Sequence, residues 1–203
     1  MKLFYSSNSP YARKIRILID EKKASIILEK VVLADKDCVI HKYNPLSKVP
    51  TLFVNDISIF DSPVIAEYVD HKSGALYLIP GDFDKRMLLK RWEAIADGLC
   101  VAAVAIMLEK RRISSQQNAD VFEKQMRKIK LSLTWLNEEM KDKEYYLENT
   151  FSYADIAVGS ALGYVKLRYP EIDFKEEYLN LHRLYELLMQ RPSFQMTVPE
   201  PYL

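Results

Sequence analysis

Residues 44–70 read NPLSKVPTLFVNDISIFDSPVIAEYVD, and the fold turns on how this stretch divides. Two short runs of strand-forming residues, Thr51–Val54 and Ile57–Phe60, flank Asn55-Asp56, a pair suited to the tight turn of an antiparallel hairpin. Pro50 stands just before the first run. Proline cannot donate to a strand ladder, so it marks where a strand begins, and an X-Pro bond is the one that goes cis at modest cost. A cis Val49-Pro50 bond is expected, turning the N–H and C=O of Val49 outward. After the second run, Asp61-Ser62-Pro63 predicts an immediate helix, with Ser62 as N-cap and Pro63 at the first helical position. Val64, Ile65, Tyr68 and Val69 supply its apolar face.

Toward the N-terminus, residues 2–6 (KLFYS) read as a strand and Ser7-Asn8-Ser9 as the loop after it. Ser9-Pro10 repeats the serine–proline device, and Ile15, Leu18 and Ile19 give the helix that follows an apolar face. Two helix N-termini of this kind offer unpaired N–H groups and partial positive charge, which suits an anion. Residues 26–33 fit a second strand, parallel to the first through the helical crossover, and residues 37–42 a short polar helix. Strand, helix, strand, short helix, hairpin, helix is the order of an α/β thioredoxin-like domain, here spanning 1–71.

Toward the C-terminus, residues 72–84 have linker composition, with Gly74, Pro80 and Gly81. No proline occurs from Gly81 to Tyr169, and the abundance of Leu, Lys, Glu and Ala predicts an all-α second domain over 85–203. Helices are expected over 84–112, 119–141 and 176–190, the last followed by an irregular tail containing Pro199 and Pro201. Ser152 followed three residues later by Asp155 is a capping box that starts a further, core helix.

Composition narrows the function. The chain has 203 residues, 49% of them hydrophobic, enough for a sizeable core. Its 29 Lys plus Arg against 28 Asp plus Glu give a net charge of +1, so no global field recruits nucleic acid or an anionic membrane. Without a signal-peptide pattern or a span of about 20 apolar residues, a cytoplasmic protein is expected. Cys38 and Cys100 form no C-x-x-C motif and read as buried small hydrophobes. The three histidines, His41, His71 and His182, have no metal-ligand spacing, so no metal is expected. Glycines never cluster into a nucleotide-binding loop, and no G-x-S-x-G is present.

Lys48-Val49-Pro50, the hairpin, Asp61-Ser62 and the upstream Ser9-Pro10-Tyr11 together resemble the glutathione-binding domain of the glutathione S-transferase family, in its bacterial-type, serine-using, Ser-Pro branch. The resemblance implies the glutathione transferase architecture, glutathione as co-substrate, a homodimer and a role in detoxification. It further implies that Val49 pairs with the cysteinyl backbone of glutathione across the cis Pro50, that Lys48 contacts the tripeptide, and that Asp61 and Ser62 hold its γ-glutamyl end. The family usually carries Glu or Gln before that serine, so Asp61 reaches one methylene less far. Ser9 would be the catalytic residue: a hydroxyl donor at a helix N-terminus favours thiolate over thiol and readies the sulfur for attack. Tyr5 and Tyr11 are the remaining hydroxyls near the first strand. A hydrophobic electrophile would bind between the domains against Tyr11, Asp97, Val101 and Val104, where Ala94, Asp97, Val101, Val104 and Leu108 recur at helical spacing.

Two other readings share the fold. One is a non-catalytic regulator similar to the stringent starvation proteins that bind RNA polymerase. Retention of Ser9, Lys48, Asp61 and Ser62 argues against it. The other, a glutathione-dependent peroxidase or disulfide reductase, shares the site and differs in substrate.

Overall fold

A computed structural model of the chain describes residues 1–74 and 76–200. Ala75 of the expected linker and residues 201–203 of the expected tail lie outside the described residues. The chain divides into two compact units, Met1–Pro80 together with Gln190–Leu203, and Gly81–Met189.

The first unit is built on a four-stranded mixed sheet in the order β2-β1-β3-β4. Strand β1 (Lys2–Tyr5) runs parallel to β2 (Ile27–Lys30) and antiparallel to β3 (Thr51–Val54), which pairs with β4 (Ile57–Phe60). The hairpin turn has φ of 46° at Asn55 and 64° at Asp56, positive at both central residues as a type I′ turn requires. β2 is shorter than its apolar run suggested, because β1 is only four residues long and Tyr5↔Lys30 is the last pair of their ladder.

Side chains alternate across the sheet. Phe4 joins Val31, Cys38, Ile40 and Val49 in one apolar cluster, against which Val39, Tyr43 and Phe53 pack. Tyr43 lies 4.9 Å from the Phe4 ring and 4.8 Å from the Phe53 ring, contacts of about 0.5–1.5 kcal/mol each. Tyr43 ends the short helix α2 (Ile40–Tyr43), which sits later than the 37–42 expected. Leu3 and Leu52 point to the opposite face, and α1 (Pro10–Glu21) and α3 (Ser62–Lys72) bury Ile15, Leu18, Ile65 and Val69. Lys22, just past α1, is wholly buried and meets Asp70 at 3.0 Å. It also donates to the Asp70 and Leu76 carbonyls, while Asp70 accepts from Leu78 N and Ile79 N. That network ties the end of α1 to the end of α3.

The unit is completed by the C-terminal segment. Instead of an irregular tail, residues after Arg191 form a short helix, α9 (Pro192–Gln195), against α1. Arg191 clasps Glu21 with two hydrogen bonds of 2.9 and 2.6 Å, and Ser193 Oγ donates to the same carboxylate at 2.5 Å.

The second unit is helical. Helix α4 (Phe83–Lys110) packs on α5 (Ala119–Met140). Arg91 near the start of α4 bonds Glu139 near the end of α5, whereas Glu109 at the end of α4 accepts from Asn118 N at the start of α5, so the two run antiparallel. At the centre stands α6 (Tyr153–Arg168), buried from Tyr153 to Val165 without a break, which identifies a core helix. It starts on the capping box expected: Ser152 Oγ accepts from Ala154 N, and Asp155 Oδ2 accepts from Ser152 N at 2.8 Å. The expected helix over 176–190 is instead two, α7 (Phe174–Glu177) and α8 (Leu179–Leu188). Asp173 caps the first, and the Asn137 side chain from α5 accepts from Asn180 N and Leu181 N at the start of the second. No helix among the described residues is long and apolar enough to cross a membrane.

Candidate functional site

Register assembles the candidate site. Phe4 on β1 pairs with Thr51 on β3, and Thr51 pairs with Phe60 on β4. The loop leaving β1 carries Ser9, the loop reaching β3 carries Lys48, Val49 and Pro50, and the residues leaving β4 are Asp61 and Ser62. All three groups therefore meet at one end of the sheet, within two strand spacings of about 4.8 Å each.

Ser9 is the N-cap of α1, with φ −81° and ψ 117°. Its Oγ accepts from Ala12 N at 3.2 Å, and its carbonyl accepts from Arg13 N at 2.9 Å. Because the oxygen is engaged as acceptor, the hydroxyl hydrogen remains to be donated elsewhere. No acidic residue occupies the first turn of α1, so nothing there offsets the positive end of the helix. Tyr5 and Tyr11 are half-buried. The Tyr5 ring is covered by the Arg16 guanidinium at 4.5 Å, and burial holds that guanidinium below its ordinary pKa.

Val49-Pro50 is cis, as expected, and both residues are buried while the Lys48 side chain is exposed. Their conformation is held by a residue the sequence reading missed. Asn44, only 2% exposed, donates through Nδ2 to Lys48 O at 2.9 Å and to Thr51 Oγ1 at 3.0 Å. Its Oδ1 accepts from Leu46 N, and Thr51 Oγ1 donates to Lys48 O. An asparagine followed by proline reads as a turn former. Nothing in that local signal says that its side chain faces inward.

At the start of α3 the expected assignment shifts by one residue. Asp61, not Ser62, is the N-cap, and it makes no side-chain capping bond. Asp61 has φ 71° and ψ 124°, a region that costs a non-glycine residue about 1–3 kcal/mol and that clusters at functional sites. Ser62 thereby becomes the first helical residue. It is 2% exposed, and its Oγ has no hydrogen-bond partner among the described residues. In the β1–α1 loop, Asn8 Oδ1 is likewise buried without a partner among the described residues.

Asp97, Val101 and Val104 belong to the helical unit. Asp97 and Val104 on α4 are partly exposed, Ala94 is exposed, and Val101 and Leu108 are 58% and 54% exposed, so this stripe is not the face that α4 buries within its unit. The buried face carries Leu99, Cys100, Ala102, Ala103 and Ile106. Among the described residues no group of three His, Cys, Asp or Glu side chains could hold a metal ion, and Cys38 and Cys100 are buried and form no disulfide.

A family model described as the glutathione S-transferase N-terminal domain matches residues 8–72, and one described as the glutathione S-transferase C-terminal domain matches residues 119–187. The chain is 33% identical, over 98% of each sequence, to the GST-like protein YibF of Escherichia coli strain K12. Among solved structures it is similar to a glutathione S-transferase of Methylobacillus flagellatus with glutathione bound, at 44% identity and a TM-score of 0.95, covering 98% of this chain and 99% of that one. A second, from Methylobacterium radiotolerans in complex with glutathione sulfonate, has 32% identity and a TM-score of 0.94, covering 100% and 96%.

Proposed function

Since the chain belongs to the glutathione S-transferase family, we propose that it binds glutathione at the sheet end described and activates its thiol for attack on a small hydrophobic electrophile. The observation that carries this reading is the buried Ser62 Oγ, without a partner among the described residues, at the same sheet end as the Ser9 cap. An unsatisfied buried hydroxyl costs about 1–3 kcal/mol, a cost that a bound carboxylate removes. Ser62, with Asp61, takes the γ-glutamyl end, whose carboxylate and amine need a donor and an anion respectively. Val49 pairs through its backbone with the cysteinyl residue, and Lys48 contacts the tripeptide. Relatives solved with glutathione and glutathione sulfonate support glutathione as the ligand.

Ser9 is the proposed catalytic residue, and the proposal extends to the serine-using, Ser-Pro branch. Its hydrogen donates to the sulfur and the α1 terminus adds positive potential, so the thiol loses its proton to solvent near neutral pH. The thiolate then forms a carbon–sulfur bond with the electrophile, either displacing a leaving group that departs with its bonding pair or adding across an activated double bond that then takes a proton from solvent. A serine cannot carry a mixed disulfide with glutathione, which favours conjugation over protein-mediated thiol transfer. Recognition of the electrophile is assigned to Tyr11, beside Ser9 in the first unit. The exposed Val101 and Leu108 on α4 support a homodimer, since apolar side chains of this size gain from burial.

Retention on immobilised glutathione, followed by turnover of a panel of electrophiles and peroxides, tests the proposal. Conjugation of at least one electrophile is expected. Binding without any turnover would transfer support to a non-catalytic role.

A further inference from the structure

We propose that Arg13, gripped by the C-terminal residues 191–197, is a positioning residue for the Ser9 hydroxyl, so that this distant segment is a working part of the thiol-activating site. The inference rests on the glutathione-activating reading above.

Arg13 lies in the first turn of α1 and is wholly buried. Its backbone N–H donates to the Ser9 carbonyl at 2.9 Å, the first main-chain bond of the helix, so the capping residue and Arg13 move together. The side chain reaches a segment more than 180 residues away. Nη2 donates to Phe194 O at 3.2 Å, Nε reaches Thr197 Oγ1 at 3.4 Å, and the guanidinium stands 5.8 Å over the Phe194 ring. The Thr197 hydroxyl is itself fixed, donating to Ser193 O at 2.8 Å. Arg13 thus adds a charged donor to the Phe194 carbonyl at the end of α9, which Thr197 N and Thr197 Oγ1 also reach.

The same segment holds α1 at its other end through the Arg191 and Ser193 bonds to Glu21. Arg13 and Glu21 are eight residues apart, about 12 Å along a helix. Apolar packing of α1 is non-directional and resists sliding or rotation only weakly. Two directional attachments about 12 Å apart on one helix fix both motions. What they fix is the place of the Ser9 oxygen, whose hydrogen bond to a thiolate is sensitive to displacements of a few tenths of an ångström. Such a fork cannot be reproduced by lysine, which presents a point charge.

The test uses the full-length protein and reads the thiol pKa of bound glutathione by thiolate absorbance, alongside kcat and the glutathione KM. For Arg13→Lys, the bound thiol's pKa should rise by about half to one pH unit and kcat should fall about threefold to tenfold, with KM changed less than about twofold. Thr197→Val should move both readouts the same way by less, and Thr197→Ser should restore them. A purely structural role would lower the melting temperature and leave the bound thiol's pKa where it was; that result in folded variants overturns the inference. If Arg13→Lys does not fold, the Thr197 pair decides alone. A wild-type protein that fails to lower the thiol pKa of glutathione overturns both this inference and the proposed function, whereas a lowered pKa in wild type that no variant alters overturns the positioning role only.

Discussion

The Asn44 amide donates to the Thr51 hydroxyl at 3.0 Å, and both side chains donate to a single acceptor, the Lys48 carbonyl, at 2.9 Å. This triangle closes the loop that carries the cis Val49-Pro50 bond. Thr51→Val keeps the shape and removes the hydroxyl, leaving Asn44 one acceptor short. A loss of about 1–2 kcal/mol in urea unfolding is expected, together with weaker glutathione binding. A variant as stable as wild type would mean that water replaces the hydroxyl.

Ser62→Ala separates ligand binding from folding, because Ser62 is not the cap of α3 and its Oγ bonds to nothing among the described residues. The free protein should be as stable as wild type or slightly more so. Glutathione affinity should fall by about tenfold or more, the loss of a hydrogen bond to a charged group. Calorimetric titration beside a thermal melt reads both. Lost stability with retained affinity would reverse the assignment.

Asp61→Asn keeps the backbone preference for an unusual φ while removing the charge proposed to meet the γ-glutamyl amine. Weaker glutathione binding with little change in melting temperature is expected. Unchanged affinity would place the amine elsewhere.

Ser9→Ala removes the capping bond to Ala12 and should cost about 1 kcal/mol of stability. It should also raise the pKa of bound glutathione's thiol and lower turnover, with little effect on glutathione affinity. Ser9→Cys should exchange conjugation for thiol-transfer activity. If Tyr5→Phe or Tyr11→Phe moves the thiol pKa and Ser9→Ala does not, the donor is a tyrosine.

Two carboxylates respond to pH with opposite sign. Burial of Glu21 alone would push its pKa up, but the hydrogen bonds from Arg191 and Ser193 and the Arg191 charge outweigh it and hold the carboxyl below its ordinary 4.5. Its stabilising contribution is therefore present above that value and is lost as pH falls through the lower folded one. Asp155 is pushed up from 3.8 to about 6 by burial, against the N–H donors of Tyr146 and Ser152. Its linkage runs the other way, favouring the fold most below 3.8 and progressively less as pH rises to about 6. Urea midpoints for Glu21→Gln should converge on wild type as pH drops below 4.5. A gap that stays constant with pH would show that Glu21 does not titrate with folding.

What the sequence determined is what lies within a few residues. The Ser9 cap and Pro10, the Asn55-Asp56 turn, the cis-prone Val49-Pro50 bond and the Ser152–Asp155 capping box each depend on atoms that neighbouring residues bring together in almost any fold. The tertiary structure decided the rest. Register alone brings Ser9, Val49 and Ser62 to one end of the sheet, and a one-residue shift at the start of α3 changes Ser62 from a cap into an open donor. Arg13, Lys14 and Lys22 are charged residues on or beside an amphipathic helix and would be assigned to solvent, yet all three are buried. Apolar periodicity identifies the face a helix turns inward but not what arrives later to cover the other face. For α1 that is a segment some 170 residues further on, whose Arg191 meets Glu21 and whose carbonyl at Phe194 meets Arg13 only once the chain has returned.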